Sequence, residues 1–286
     1  MNLADIKDVK ALLSSEGFVF KKSLGQNFII DETVCPAMAD SCCDRNIGVI
    51  EIGPGAGVLT YELASKAKRV VAIEIDERLK PVLQKTVGGF NNVEIIFGDV
   101  LKLNLNKIIK EKFLDCEKVA VCANLPYYIT SPIIISLLES RLNISSITAM
   151  VQLEAAERLC ARLGTRQAGA VTAAVEYYSE AQILFDVPRD CFLPAPNVDS
   201  AVIRLDIRKD FPVKVKSENL FFELIKAGFN QRRKTLSNAL SNHLKCDKPT
   251  VLSYLKNAGI KETARAEELT IGDFAALSNN IFEDNN

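Results

Sequence analysis

The chain has 286 residues, about twice the usual domain length, with 48% hydrophobic and 25% charged residues; one large or two ordinary domains are expected, and collagen-like, low-complexity and disordered classes are excluded. Thirty-five Lys and Arg against 36 Asp and Glu leave a net charge of −1, so there is no global field for polyanions and any nucleic-acid site must be a local patch. Eight cysteines without a C-x-x-C pair read as reduced, mostly buried thiols, and the single histidine, His243, leaves no His-based metal site and no metal is expected.

In chain order, Met1 to Lys10 carries Asp5, Lys7, Asp8 and Lys10 and no apolar core, so no secretory signal is read there and a cytoplasmic protein is expected. Residues 1–30 read as an N-terminal extension. From residue 48 to about 207, short β-branched runs alternate with amphipathic stretches, the pattern of an open α/β sheet with helices on both faces. The predicted strands are Gly48–Ile52, Arg69–Ile75, Val93–Phe97, Val119–Ala123, Ser146–Gln152, Ala181–Val187 and Ser200–Ile207. The predicted helices among the first five are Val58–Lys68, Glu77–Val87, Asn104–Glu111 and Pro132–Arg141, each long enough for a crossover between parallel strands. The last two strands are joined only by Pro188 to Asn197, which predicts an antiparallel pair and a mixed sheet. Val119 to Leu138 is uncharged and matches the ~20-residue span of a bilayer helix, but Asn124, Pro126 and Pro132 interrupt it, so a strand, a loop and a helix start are expected and no membrane span. After Ile207 the pattern changes to four short helices over Glu218–Phe282. The expected organisation is a catalytic domain over 1–210 and a helical domain over 211–286.

Four elements carry chemistry. Glu51-Ile52-Gly53-Pro54-Gly55-Ala56-Gly57 is a strand running into a glycine turn, where backbone amides approach a ligand at the carboxyl end of a strand. Its G-x-G-x-G spacing differs from the dinucleotide fingerprint and favours a nucleoside without a pyrophosphate. Glu74, ending the second strand, is placed to accept from both ribose hydroxyls, while Asp76 is the better cap for the next helix. Asp99, after the third strand, can accept from an adenine amine. Asn124-Leu125-Pro126-Tyr127 follows the fourth strand: the Asn124 side-chain carbonyl and a backbone carbonyl freed by Pro126 can accept two N–H bonds from an exocyclic amine, and Tyr127 can stack on the ring that bears it.

These residues resemble the S-adenosylmethionine-dependent ribosomal RNA adenine N6-dimethyltransferase family acting on small-subunit (16S) rRNA. The resemblance covers nearly the whole chain: Lys22-Ser23-Leu24-Gly25-Gln26-Asn27-Phe28 looks like the family's cofactor lid, Phe192-Leu193-Pro194-Ala195-Pro196-Asn197-Val198-Asp199-Ser200 like its late target loop, and Phe229 to Leu236 like the opening of its helical domain. It implies a class I methyltransferase fold, Rossmann-like with a mostly parallel seven-stranded sheet, using S-adenosyl-L-methionine. It further implies that Asn27 and Ile29 hold the methionine end, Gly53 and Gly55 line the cofactor, Glu74 takes the ribose and Asp99 the adenine. Asn124 is then shared with the target, and Tyr127 and Phe192 sandwich the flipped adenine beside Leu125 and Pro126. Tyr128 and Ala168 depart from the family pattern. The implied reaction is dimethylation of two adjacent adenosines in the 3′-terminal hairpin, by a monomer, on rRNA within a pre-30S particle.

Because methyl transfer is a one-step displacement, alignment of the groups and two acceptors for the amine suffice. For RNA, Lys226, Arg232, Arg233, Lys234, Lys245 and Lys248 face only Asp247 within their segment, and Arg232, Arg233 and Lys234 are the expected phosphate contacts. Arg158, Arg162 and Arg166 read as a second basic row at helical spacing. The alternatives are a resistance-type methyltransferase of large-subunit rRNA, a protein glutamine methyltransferase, and a non-catalytic ribosome assembly factor.

Overall fold

The computed structural model describes residues 6–18 and 27–284. The elements run α1 (Ile6–Ser15), β1 (Phe28–Ile29), α2 (Val34–Cys42), β2 (Ile47–Ile52), α3 (Val58–Lys66), β3 (Arg69–Glu74), α4 (Lys80–Thr86), β4 (Val93–Phe97), α5 (Leu105–Lys112), β5 (Lys118–Asn124), α6 (Thr130–Glu139), β6 (Ser146–Gln152), α7 (Leu153–Cys160), α8 (Ala170–Tyr178), β7 (Ser179–Val187), β8 (Phe192–Leu193) and β9 (Ser200–Ile207). Four helices follow: α9 (Glu218–Asn230), α10 (Leu236–Leu244), α11 (Lys248–Asn257) and α12 (Ile271–Asp284).

The chain groups into two units, 1–156 with 182–207, and 157–181 with 208–286. In the first, a seven-stranded sheet has the order β4-β3-β2-β5-β6-β9-β7. β4, β3, β2, β5 and β6 are parallel neighbours, and β9 runs antiparallel to β6. The strands alternate with helices because each β-branched run is buried on both faces: Val49, Ile50, Val70, Val71, Ala120 and Val121 are all fully buried. One face packs against α2, α3 and α4 through Met38, Leu63 and Val82. The strand order reverses between the central strands β2 and β5, and open α/β sheets bind ligands at the carboxyl ends of the strands at such a switch. The uncharged stretch from Val119 resolves into β5, a 3₁₀ turn and α6, and among the described residues no helix is long and apolar enough to cross a membrane.

The second unit differs from the continuous division expected at 210, because 157–181 joins the C-terminal helices. The reason is aromatic packing. Tyr177 stacks on Phe211 with centroids 4.6 Å apart, Tyr178 stacks on Phe222 at 5.6 Å, and both hydroxyls donate to Glu218, at 3.2 and 3.3 Å. α8 also escapes a periodicity reading: seven of its nine residues are buried, so it has no polar face, and its Val, Thr and Tyr content resembles a strand. The basic row at 158, 162 and 166 is corrected as well: α7 ends at Cys160, and Gly164 turns the chain with φ +87°, so Arg162 and Arg166 lie on a loop. All eight cysteines are free thiols, of which Cys35, Cys42 and Cys122 are buried and the other five partly buried.

Candidate active site

A cleft opens at the carboxyl ends of β2, β3 and β5, lined by Asn27 to Ile29, the Gly53–Ala56 turn, Glu74, Ile75 and the whole of Asn124 to Tyr127. The turn is built by backbone geometry. Gly53 and Gly55 have φ of +73° and +58°, and a Cβ on Gly55 would lie 2.9 Å from the Phe28 ring, so a side chain there would be strained and would collide. The Gly55 N–H donates to Glu74 Oε2 at 3.2 Å, and the Asp76 N–H donates to Glu74 Oε1 at 2.8 Å. Glu74 therefore pins the turn while each carboxylate oxygen keeps a lone pair for a ligand. Burial raises its pKa from the ordinary glutamate value, opposed by those N–H bonds and by the Ile75 N–H. Asp76 caps the next helix as expected, accepting from the Arg78 N–H at 3.2 Å.

Beneath the turn lies Glu51, 1% exposed, with neither carboxylate oxygen meeting a hydrogen-bond partner. Burial pushes it up to about 8, the Thr60 hydroxyl opposing the rise and the Glu74 carboxylate adding to it. A carboxyl raised in this way binds its proton more tightly folded than unfolded. Its contribution to stability is complete below its unfolded value of 4.5 and is lost as pH rises through about 8. Glu51→Gln is thus expected to flatten the pH dependence of the melting temperature between those limits and to leave the variant more stable than wild type above pH 8. Parallel melting curves across that range would refute the assignment.

The Asn124 element has the sharpest geometry. Asn124 Nδ2 donates to the carbonyl of Asn27 at 3.1 Å, which fixes the amide so that Oδ1 is left without a partner among the described residues. Leu125 donates its N–H to Met150 O at 3.1 Å and buries its side chain, 1% exposed. The Pro126 carbonyl is taken by the Ile129 N–H at 3.1 Å and the Thr130 hydroxyl at 3.2 Å. The Leu125 carbonyl has no such partner among the described residues. Tyr127 lines the cleft, and Tyr128, the next residue, is 61% exposed.

Other expected residues stand elsewhere. Asp99 does not line the cleft: its Oδ1 accepts from the Leu101 N–H at 3.1 Å and its Oδ2 lies 3.5 Å from Lys102 Nζ, so the carboxylate serves its own turn. Phe192 is 2% exposed and packed in the core rather than facing the cleft. The cause is a pairing invisible in the sequence, the two-residue strands β1 and β8, which set Ile29 opposite Phe192. Of the lid segment, Lys22 to Gln26 lie outside the described residues. In the second unit, Arg232 donates to the Arg166 carbonyl at 2.9 Å and to Glu267 at 3.1 Å. It is a clamp between segments although it is exposed, as Arg233 and Lys234 are.

A family model described as ribosomal RNA adenine dimethylase matches residues 17–283. The chain is 48% identical over 274 residues to the ribosomal RNA small subunit methyltransferase A of Geobacillus thermodenitrificans (strain NG80-2), covering 94% of each. Among solved structures it is similar to a dimethyladenosine transferase from Plasmodium falciparum, with a TM-score of 0.70, 25% identity, and coverage of 90% of this chain and 98% of that one. It is also similar to the 23S rRNA methyltransferase ErmE, with a TM-score of 0.66, 26% identity, and coverage of 89% and 99%.

Proposed function

The chain belongs to the ribosomal RNA adenine dimethylase family, and from that premise we propose that it transfers methyl groups from S-adenosyl-L-methionine to the N6 amines of two adjacent adenosines in the 3′-terminal hairpin of 16S rRNA. It is an rRNA adenine methyltransferase with a Rossmann-like fold. The small subunit is favoured over the large one by the 48% identity to the small-subunit relative, against 26% to the large-subunit enzyme. The substrate is rRNA within an assembling pre-30S particle, and the protein acts as a cytoplasmic monomer.

The observation that carries the reading is the pair of open acceptors, Asn124 Oδ1 and the Leu125 carbonyl, beside Tyr127 in the glycine-turn cleft. The cleft suits the cofactor: Glu74 has free lone pairs for a ribose diol, a Cβ on Gly53 would meet nothing nearer than 3.9 Å so the backbone there leaves room for a ligand, and Ile75 offers an apolar face to a purine. When bound, S-adenosyl-L-methionine supplies an electrophilic methyl on a sulfonium. Asn27, Ile29, Gly53, Gly55 and Glu74 would hold it, and Asp99 would join them by turning its carboxylate from Lys102. Asn124 and Leu125 accept the two N–H bonds of the target amine, which favours the pyramidal nitrogen of the transition state and turns its lone pair outward. Tyr127 holds the face of the extruded base. No side-chain base is required, since the methylated nitrogen is acidic enough to release its proton to water.

Cofactor titration with methyl incorporation into unmethylated small subunits tests the reading. Incorporation into N6-dimethyladenosine is expected. Incorporation into large-subunit RNA alone, or into protein glutamine alone, would overturn it, and binding without any transfer would make the protein an assembly factor.

The RNA patch is narrowed by the Arg232 clamp. Replacing Arg233 and Lys234 together by Ala is expected to flatten the dependence of log K on log salt by about 1.5, at 0.7 to 0.9 per phosphate contact, with cofactor affinity unchanged. Arg232→Ala is expected to lower the melting temperature instead. A salt slope identical to wild type in the Arg233/Lys234 variant would assign those cations to a solvated surface.

A further inference from the structure

The Tyr127 hydroxyl and Ser200 Oγ lie 2.8 Å apart, joining two segments 73 residues apart in sequence. Ser200 opens β9, is fully buried, and is paired opposite Gln152 of β6. Its position is set by backbone on both sides: the Leu153 N–H donates to Asp199 O at 3.0 Å, and the Arg189 N–H donates to Asp199 Oδ1 at 2.9 Å. Tyr127, in contrast, stands on a three-residue 3₁₀ turn with no buried residue. Its ring lines the cleft and is only half-buried, so packing alone does not fix it. Burial raises the phenol above its ordinary value and Ser200 opposes the rise, so the hydroxyl stays neutral and hydrogen-bonded at physiological pH.

We propose that Ser200 is a positioning residue for the target base, its hydroxyl holding the Tyr127 ring against swinging about χ1 so that the ring face is already presented to the extruded adenine. The inference rests on the function proposed above. Rotation about the ring axis leaves the hydroxyl in place, so the bond restrains the swing of the ring and not its flipping. A preset ring does not have to be ordered when the base arrives, and ordering one side chain on binding changes affinity by about 2- to 10-fold. The bond also makes the late loop and the Asn124–Tyr127 element report on one another, because a shift of β9 is transmitted to the stacking face.

The test uses Ser200→Ala, Tyr127→Phe, their combination, and Ser200→Thr, which keeps the hydroxyl in a strand that tolerates β-branching. In the free protein labelled with ¹³Cζ-tyrosine, the Tyr127 resonance is identified by its loss in Tyr127→Phe. It is expected to be single and narrow in wild type and Ser200→Thr, and moved or broadened in Ser200→Ala; an unchanged resonance overturns the proposal. With unmethylated small subunits at saturating cofactor, Ser200→Ala and Tyr127→Phe are each expected to raise KM by about 2- to 10-fold with kcat near wild type. The double variant should be no worse than either, and Ser200→Thr should restore KM. Additive effects, or a fall in cofactor affinity by calorimetry, overturn the positioning role. An active wild type with an unchanged Ser200→Ala overturns this inference alone, whereas a wild type that methylates no small-subunit RNA removes the reading beneath it and the base-capture role together.

Discussion

Asn124→Ala is expected to lower single-turnover methylation of unmethylated small subunits by about 100-fold or more, the scale for losing one preorganised polar contact to a transition state, while subunit affinity changes little. The reason is directional. Asn124 Nδ2 is committed to the Asn27 carbonyl at 3.1 Å, so the amide cannot turn over without giving up that bond, and Oδ1 is presented to the amine before it arrives. Its hydrogen bond strengthens as the nitrogen pyramidalises and gains charge, so the loss falls on kcat rather than on KM. Asn124→Asp separates the two functions. It keeps an acceptor toward the amine but sets a carboxylate oxygen against the Asn27 carbonyl, and intermediate turnover with weakened cofactor binding is expected. Near wild-type turnover in Asn124→Ala would reduce the element to a strand-terminal turn.

The sheet was legible because each of its seven strands is a β-branched run bounded by glycine, proline or a polar cluster, and the crossover lengths left only parallel pairing for the first five. Asn124, Leu125 and Tyr127 were legible because a strand end followed by a proline restricts the backbone to a few arrangements. What escaped depends on partners far away in sequence. The two residues of β1 have no period to read, yet their pairing with β8 buries Phe192. α8 is buried nearly all round, and its packing on Phe211, Phe221 and Phe222 assigns it to the helical unit. Arg232 counts as one more cation in a charge tally, and only its contacts with Arg166 and Glu267 show that part of its hydrogen-bonding capacity is already used. Ser200 stood in a segment that the family resemblance singled out, but its partner Tyr127 could not be read from that segment.

Glu74→Ala is expected to weaken S-adenosyl-L-methionine binding by roughly 1 to 3 kcal/mol, about 5- to 150-fold, and to lower the melting temperature. Two mechanisms contribute, because the same carboxylate would accept from the ribose and already accepts from the Gly55 and Asp76 amides. Removing it leaves both amides without their acceptor and loosens the turn whose shape defines the cleft. Calorimetry with adenosine and with 2′,3′-dideoxyadenosine distinguishes the two. The part due to the turn is lost for both ligands, and the part due to the diol only for adenosine. The pH dependence has a definite sign. Burial raises the Glu74 pKa, and only the ionised carboxylate accepts from both hydroxyls, so wild-type affinity for adenosine should rise with pH through a window shifted upward from the ordinary glutamate value. Glu74→Gln should remove that rise. Equal losses for the two nucleosides would leave Glu74 as a support for the glycine turn with no direct hold on the ribose, and unchanged affinity in a folded Glu74→Ala would remove it from the site.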